Sequence, residues 1–127
     1  MLNNLAAISF AALTGVAVMF QVALACGAPW GELTLGGKYR GRLPGFVRIV
    51  PIVSAALLTG FAVIVLAHAG LAFANMTAIS NRLIWVVVAY CVAGTFANFV
   101  TPSRREQMLW FPIVALMLVS STIVAVG

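Results

Sequence analysis

Aspartate is absent from this chain, glutamate occurs only as Glu32 and Glu106, histidine only as His68, and cysteine only as Cys26 and Cys91. Each shortage removes a class of chemistry. The two cysteines are far apart in no C-x-x-C arrangement, and the single histidine has no second nitrogen ligand, so neither a disulfide framework nor a zinc site is expected. No metal, cofactor or catalytic residue is assigned. Nucleotide motifs are missing too. A Walker A loop needs glycine, four residues, then Gly-Lys-Ser/Thr, whereas Gly37-Lys38 has Glu32 at the first glycine position and Tyr39 at the hydroxyl position. No G-x-G-x-x-G is present either.

Charge is the next shortage. Charged residues make up 7% of the chain and hydrophobic residues 64%, against about 25% and about 45–50% in a soluble domain. Such a chain cannot cover itself with polar surface. Its net charge of +5 would suggest nucleic acid in a soluble protein. Here the cations fall in short runs between long apolar segments, which is a membrane pattern and excludes nucleic acid as a partner.

Crossing a hydrocarbon core of about 30 Å takes roughly 20 helical residues, because a helix satisfies its own backbone in lipid. Four segments qualify, at about residues 5–25, 47–70, 83–100 and 108–126. The expected fold is all-α: a single transmembrane domain over residues 1–127, a four-transmembrane-helix bundle running up-down-up-down, with a basic loop at 27–46. Pro51 and Pro112 are expected near helix starts, where a missing N–H costs little. Ser80 or Asn81 is expected to cap the third helix and Ser103 the fourth. Trp30, Trp85 and Trp110 fall at expected interfaces. Ala23-Leu24-Ala25 before Cys26 imitates a signal-peptide cleavage site, but no Lys or Arg precedes it, so an uncleaved first span is expected.

Lys38, Arg40, Arg42 and Arg48 lie in or beside the first connection, Arg104 and Arg105 in the third, and only Arg82 in the second. The positive-inside rule then places both basic connections in the cytoplasm and both termini outside. These six cations, set among Gly36, Gly37, Gly41 and Gly45 and joined by Asn98, form a candidate site for an anion or a lipid headgroup. Glycines let backbone amides approach a phosphate, guanidinium groups hold it, and each basic residue near an anionic leaflet contributes about 1 kcal/mol. Orientation alone also accounts for much of this charge. Glu106 is expected to bridge to Arg48 or Arg42, and Glu32 to Arg104 or Arg105.

Inside the spans, Thr14, Gln21, Thr59, Thr95 and Asn98 are expected to hydrogen-bond across helix contacts. Stripes of small residues (Ala7, Ala11 and Gly15; Ala56 and Gly60; Ala89, Ala93 and Ala97) are expected to let helices approach closely. No expected span holds a carboxylate, which disfavours proton-coupled export of cationic drugs. His68 is expected at an interface.

The stretches GAPWGELTLGGKYRGRLPGFVR and NFVTPSRREQMLWFP resemble those of a group of small, uncharacterised bacterial four-helix membrane proteins. The resemblance rests on Gly27 to Trp30, Gly36-Gly37, Leu43-Pro44, Arg48, Asn98, Thr101 to Arg105 and Trp110 to Pro112. It implies a bacterial four-span bundle, hence a multi-pass protein of the cytoplasmic (inner) membrane, and nothing about activity. The leading expectation is a non-enzymatic accessory or lipid-interacting module, binding anionic lipids and associating as a homo-oligomer or with a partner membrane protein. The alternatives are a homo-oligomeric channel or transporter for a small anion or neutral solute, and an enzyme acting on a lipid headgroup with Glu32 or Glu106 moving the proton.

Overall fold

The computed structural model describes residues 2–127, apart from the side chain of Ala74. Its helices are α1 (Leu2–Ala25), α2 (Ile49–His68), α3 (Thr77–Val100) and α4 (Arg104–Val126), and no strand occurs among the described residues. Each helix is long and apolar enough to cross a membrane. The four-helix, all-α expectation therefore holds. Helix α1 packs against α2 and α4, and α3 against the same two, while α1 and α3 stand apart across the middle. The short connections after α2 and after α3 make those successive helices antiparallel neighbours.

Two helix ends share one device. After α1, the Ala28 N–H donates to the Ala23 carbonyl and the Gly27 N–H to the Leu24 carbonyl; after α2, Leu71 donates to Leu66 and Gly70 to Ala67. Both are Schellman closures, which need a left-handed residue. Gly27 and Gly70 supply it at φ +103° and +76°.

Helix α3 begins at Thr77, earlier than the sequence suggests, with Met76 at its N-cap and no side-chain cap. The boundary was expected at Arg82, but an exposed arginine reaches an interface from within a helix by extending its stem. Ser80 is consequently no cap. It is buried, its hydroxyl donates to the Thr77 carbonyl at 2.7 Å, and it lies 3.4 Å from His68 Nδ1 at the end of α2. Helix α4 likewise starts early, at Arg104, with the expected Ser103 cap: the Glu106 N–H donates to Ser103 Oγ at 3.2 Å. This early start puts Pro112 inside the helix instead of in its first turn.

The interior is narrow and made of small and medium side chains. Ala7, Phe10, Thr14 and Ala17 recur every three or four residues along the inner line of α1 and meet Phe61 and Val65 of α2 with Met117 and Val124 of α4 in one core. Large apolar residues point outward as well, among them Ile8, Val16 and Met19 on α1 and Ile52 and Val53 on α2. That is the surface a helix needs in lipid, where association depends on close packing because tails are as apolar as leucine.

Two sequence expectations change here. Thr59, Thr95 and Asn98 donate to the carbonyls of Ala55, Cys91 and Gly94 on their own helices, at 2.8, 2.7 and 2.7 Å, and form no interhelical bond among the described residues. Such back-bonding satisfies a polar group in lipid without any neighbour. The stripes Ala89, Ala93, Ala97 and Ala56, Gly60 face outward, and Gly15 is also exposed; only Ala7 of the expected α1 stripe is fully buried.

Thr14 is buried, and its hydroxyl has no partner among the described residues. An unpaired buried hydroxyl costs about 1–3 kcal/mol, so Thr14→Val is expected to stabilise the bundle by about 1 kcal/mol. A raised thermal midpoint in detergent would register it; a lowered midpoint would show the hydroxyl to be paired.

Candidate functional site

The α1–α2 connection is a built cap over the basic end of the bundle. Leu43 and Val47 bury against Leu24 in a second small core, with Phe20 and Tyr39 beside them. Two single-turn 3-10 segments, Gly31–Leu33 and Leu35–Gly37, then lie across the start of α4. Four contacts hold them. Trp110 Nε1 donates to the Leu33 carbonyl at 3.0 Å, Ser103 Oγ to the Glu32 carbonyl at 2.7 Å, the Gly36 N–H to Glu106 Oε2 at 3.3 Å, and Arg105 pairs with Glu32 at 2.5 Å.

The cap closes on itself at Gly31, whose N–H donates to the Gly41 carbonyl at 2.8 Å. A Cβ at Gly31 would stand 1.8 Å from the Tyr39 carbonyl oxygen, so only glycine fits this crossing. Trp110, expected in an interfacial belt, is buried instead. Phe20 stacks on Trp30 at 6.0 Å and meets Trp110 edge-on at 4.7 Å.

The six cations expected to act together are divided by this cap. Arg40, Arg104 and Arg105 surround a hollow of about 280 Å³ with Glu32, Gly36, Gly37, Pro102 and Ser103. Arg105 is neutralised by Glu32, as the sequence suggests, whereas Arg40 and Arg104 have no carboxylate partner among the described residues. Lys38 lies 5.4 Å from the ring centre of Tyr39. Arg42 is exposed and outside this hollow. Arg48 donates from Nε to the Leu43 carbonyl at 3.0 Å and rests its guanidinium against Gly27. It therefore braces the loop.

Glu106 departs most from expectation. It bridges neither Arg48 nor Arg42; it sits in the first turn of α4, buried, and among the described residues its carboxylate accepts only the Gly36 N–H. Ser103-Arg104-Arg105-Glu106 is a capping-box sequence, in which the glutamate normally turns back to the cap's own N–H. Here half of the box forms. The Ser103 N–H donates to Thr101 Oγ1 at 3.3 Å, which leaves the carboxylate free to turn inward. The Ser103 cap expected from the sequence itself sets the start of α4 at Arg104 and places Glu106 in its first turn.

Glu106 turns toward a second and larger hollow, about 500 Å³, between α1, α3 and α4 and beneath the cap. The space exists because Ala17, Gly94 and Ala97 leave it, with Gly36 above. Its wall is mainly apolar, including Trp110, Val114 and Met117, with Gln21, Thr34, Tyr90, Asn98 and Thr101 as further polar members. Asn98 thus lines this cavity and does not join the arginines. Leu35, Tyr90, Ala97, Val100 and Pro102 are the exposed parts of the wall, so the mouth opens beside α3 and the turn that follows it. The two carboxylates line different hollows.

Fold and site together define a multi-pass, four-helix membrane protein with two adjoining hollows under one structured cap. Comparison with protein families, curated proteins and solved structures finds no match.

Proposed function

We propose that this chain is a non-enzymatic, lipid-interacting module of a bacterial cytoplasmic membrane, with its basic end in the cytoplasm, both termini outside, and anionic phospholipid bound at the arginine hollow. The observation that carries the reading is the convergence of Arg40 and Arg104, neither of them neutralised, on a depression walled by Gly36 and Gly37. A phosphate there meets guanidinium groups and a glycine backbone that lets it come near. The outward-facing stripes Ala56, Gly60 and Ala89, Ala93, Ala97 support association with a second copy or a partner span, since small residues let lipid-facing helices touch.

Native mass spectrometry of protein extracted with mixed lipids tests the headgroup site. At about 1 kcal/mol per cation, Arg40→Gln with Arg104→Gln is expected to weaken phosphatidylglycerol retention roughly thirtyfold. Arg82→Gln at the opposite end should leave it unchanged. Equal loss in both variants would reduce the effect to general surface charge and defeat the assignment.

The channel or carrier reading draws support from one feature, the 500 Å³ cavity beside α3. With Glu106 in its wall, such a carrier would favour a neutral or cationic solute over an anion.

A further inference from the structure

The larger cavity has a chemical character opposite to that of the arginine hollow. Among the described residues no lysine or arginine lines it, and its one charged group is the Glu106 carboxylate. Glu106 is 8% exposed. One of its oxygens accepts a long bond of 3.3 Å from Gly36, and the other accepts no hydrogen bond from the described residues. The carboxylate is shielded from bulk water, with its free oxygen open to the cavity; beside the amino end of α4 the protein supplies it one weak donor, and a cation entering the cavity would complete its solvation.

A further acceptor lies nearby. Asn98 donates one amide N–H to the Gly94 carbonyl at 2.7 Å, and its amide oxygen remains able to accept from a guest in the cavity. Trp110 and Tyr90 contribute aromatic wall, and aromatic faces attract cations. A volume of about 500 Å³ lies within the range of small-molecule sites, about 300–1,000 Å³.

We propose that the cavity between α1, α3 and α4 binds an organic cation, an ammonium or similar centre carrying an apolar body, with the Glu106 carboxylate as counter-ion. The charged centre lies beneath the cap near Gly36, and the apolar body extends along Ala17, Gly94 and Val114 toward the mouth at Ala97. Both a free lipophilic amine and the ethanolamine headgroup of a bilayer lipid present this chemistry. The site is independent of the phosphate hollow, and Arg40 and Arg104 have no part in it.

The test uses two ions of one shape and opposite charge, tetraphenylphosphonium and tetraphenylborate, in equilibrium dialysis against the full chain in phosphatidylglycerol nanodiscs. Saturable binding of the phosphonium, weakened at least about tenfold in Glu106→Gln, is expected, because removing one member of a buried charge pair is strongly unfavourable. Tetraphenylborate is expected to show no saturable component and no dependence on Glu106. Ala97→Phe, at an exposed position, plugs the mouth without touching the carboxylate and should also reduce phosphonium binding; it decides the matter if Glu106→Gln does not fold.

Repeating the measurement with phosphatidylethanolamine identifies the source of the cation. Competition assigns the site to that lipid's headgroup, and undiminished phosphonium binding assigns it to free amines; either agrees with the proposal. Non-saturable phosphonium binding, equal binding by both variants, or equal saturable binding of the borate would overturn it. Loss of phosphatidylglycerol retention in the arginine variants leaves this result untouched, so the two readings fail separately.

Discussion

Gly31→Ala is expected to open the cap while leaving the four helices in place. Trypsin should then cut at Lys38, Arg40 and Arg42 far faster than in the native chain, with helix content by circular dichroism unchanged. The added Cβ would lie 1.8 Å from the Tyr39 oxygen and 2.6 Å from the Gly41 oxygen. Both are backbone atoms, so no side chain can rotate away. Relief requires the two strands of the loop to part, which breaks the Gly31 to Gly41 hydrogen bond. Overpacking of this kind costs about 3 kcal/mol, enough to raise the open population about a hundredfold. The helices are unaffected because their packing lies in the separate core built on Phe10, Phe61 and Val65. Unchanged cleavage would mean that the loop does not cross itself at Gly31.

Ser103→Ala is expected to destabilise the same end by about 2 kcal/mol, the sum of a lost N-cap and a lost hydrogen bond. One hydroxyl performs both tasks: it accepts the Glu106 N–H at 3.2 Å and donates to the Glu32 carbonyl at 2.7 Å. Removing it leaves a helix N–H and a loop carbonyl unpaired together. Glu32→Gln provides the contrast. It breaks the ion pair to Arg105, whose side chain is 74% exposed, and exposed pairs are worth less than about 1 kcal/mol. Hydrogen exchange at the first turn of α4 should therefore rise sharply in Ser103→Ala and little in Glu32→Gln. Equal effects would locate the strength of the junction in the salt bridge.

Helix number and the positions of the spans were legible because twenty apolar residues in a row have few other uses. The ends of α1 and α2 were found to within a few residues; the early starts of α3 and α4 were not. Arg82 and the Arg104–Glu106 run resemble boundaries because they are charged, although long cationic side chains reach the interface from inside a helix. At α4 the Ser103 cap marks the true start of the helix while the apolar run begins later, and Glu106 lies in the stretch between them. The pairing of Glu32 with Arg105 was legible as one of two alternatives. The separation of Arg48 from Arg104 was not, since it depends on Leu43 dropping onto Leu24 and drawing the loop to one side. Hydrogen bonds among the spans were misplaced for a local reason: Thr and Asn in a helix find an acceptor one turn back before they find a neighbour.

Gly36 and Pro102 belong to both hollows, so the wall between them is one peptide and one ring thick. Gly36 is also the residue whose N–H holds Glu106. A Cβ on Gly36 would stand 3.3 Å from the Pro102 ring, so the partition has no room for a bulkier residue at that point. One glycine and one proline thereby keep apart two chambers of opposite electrical character, and each can take its own guest without lending it to the other.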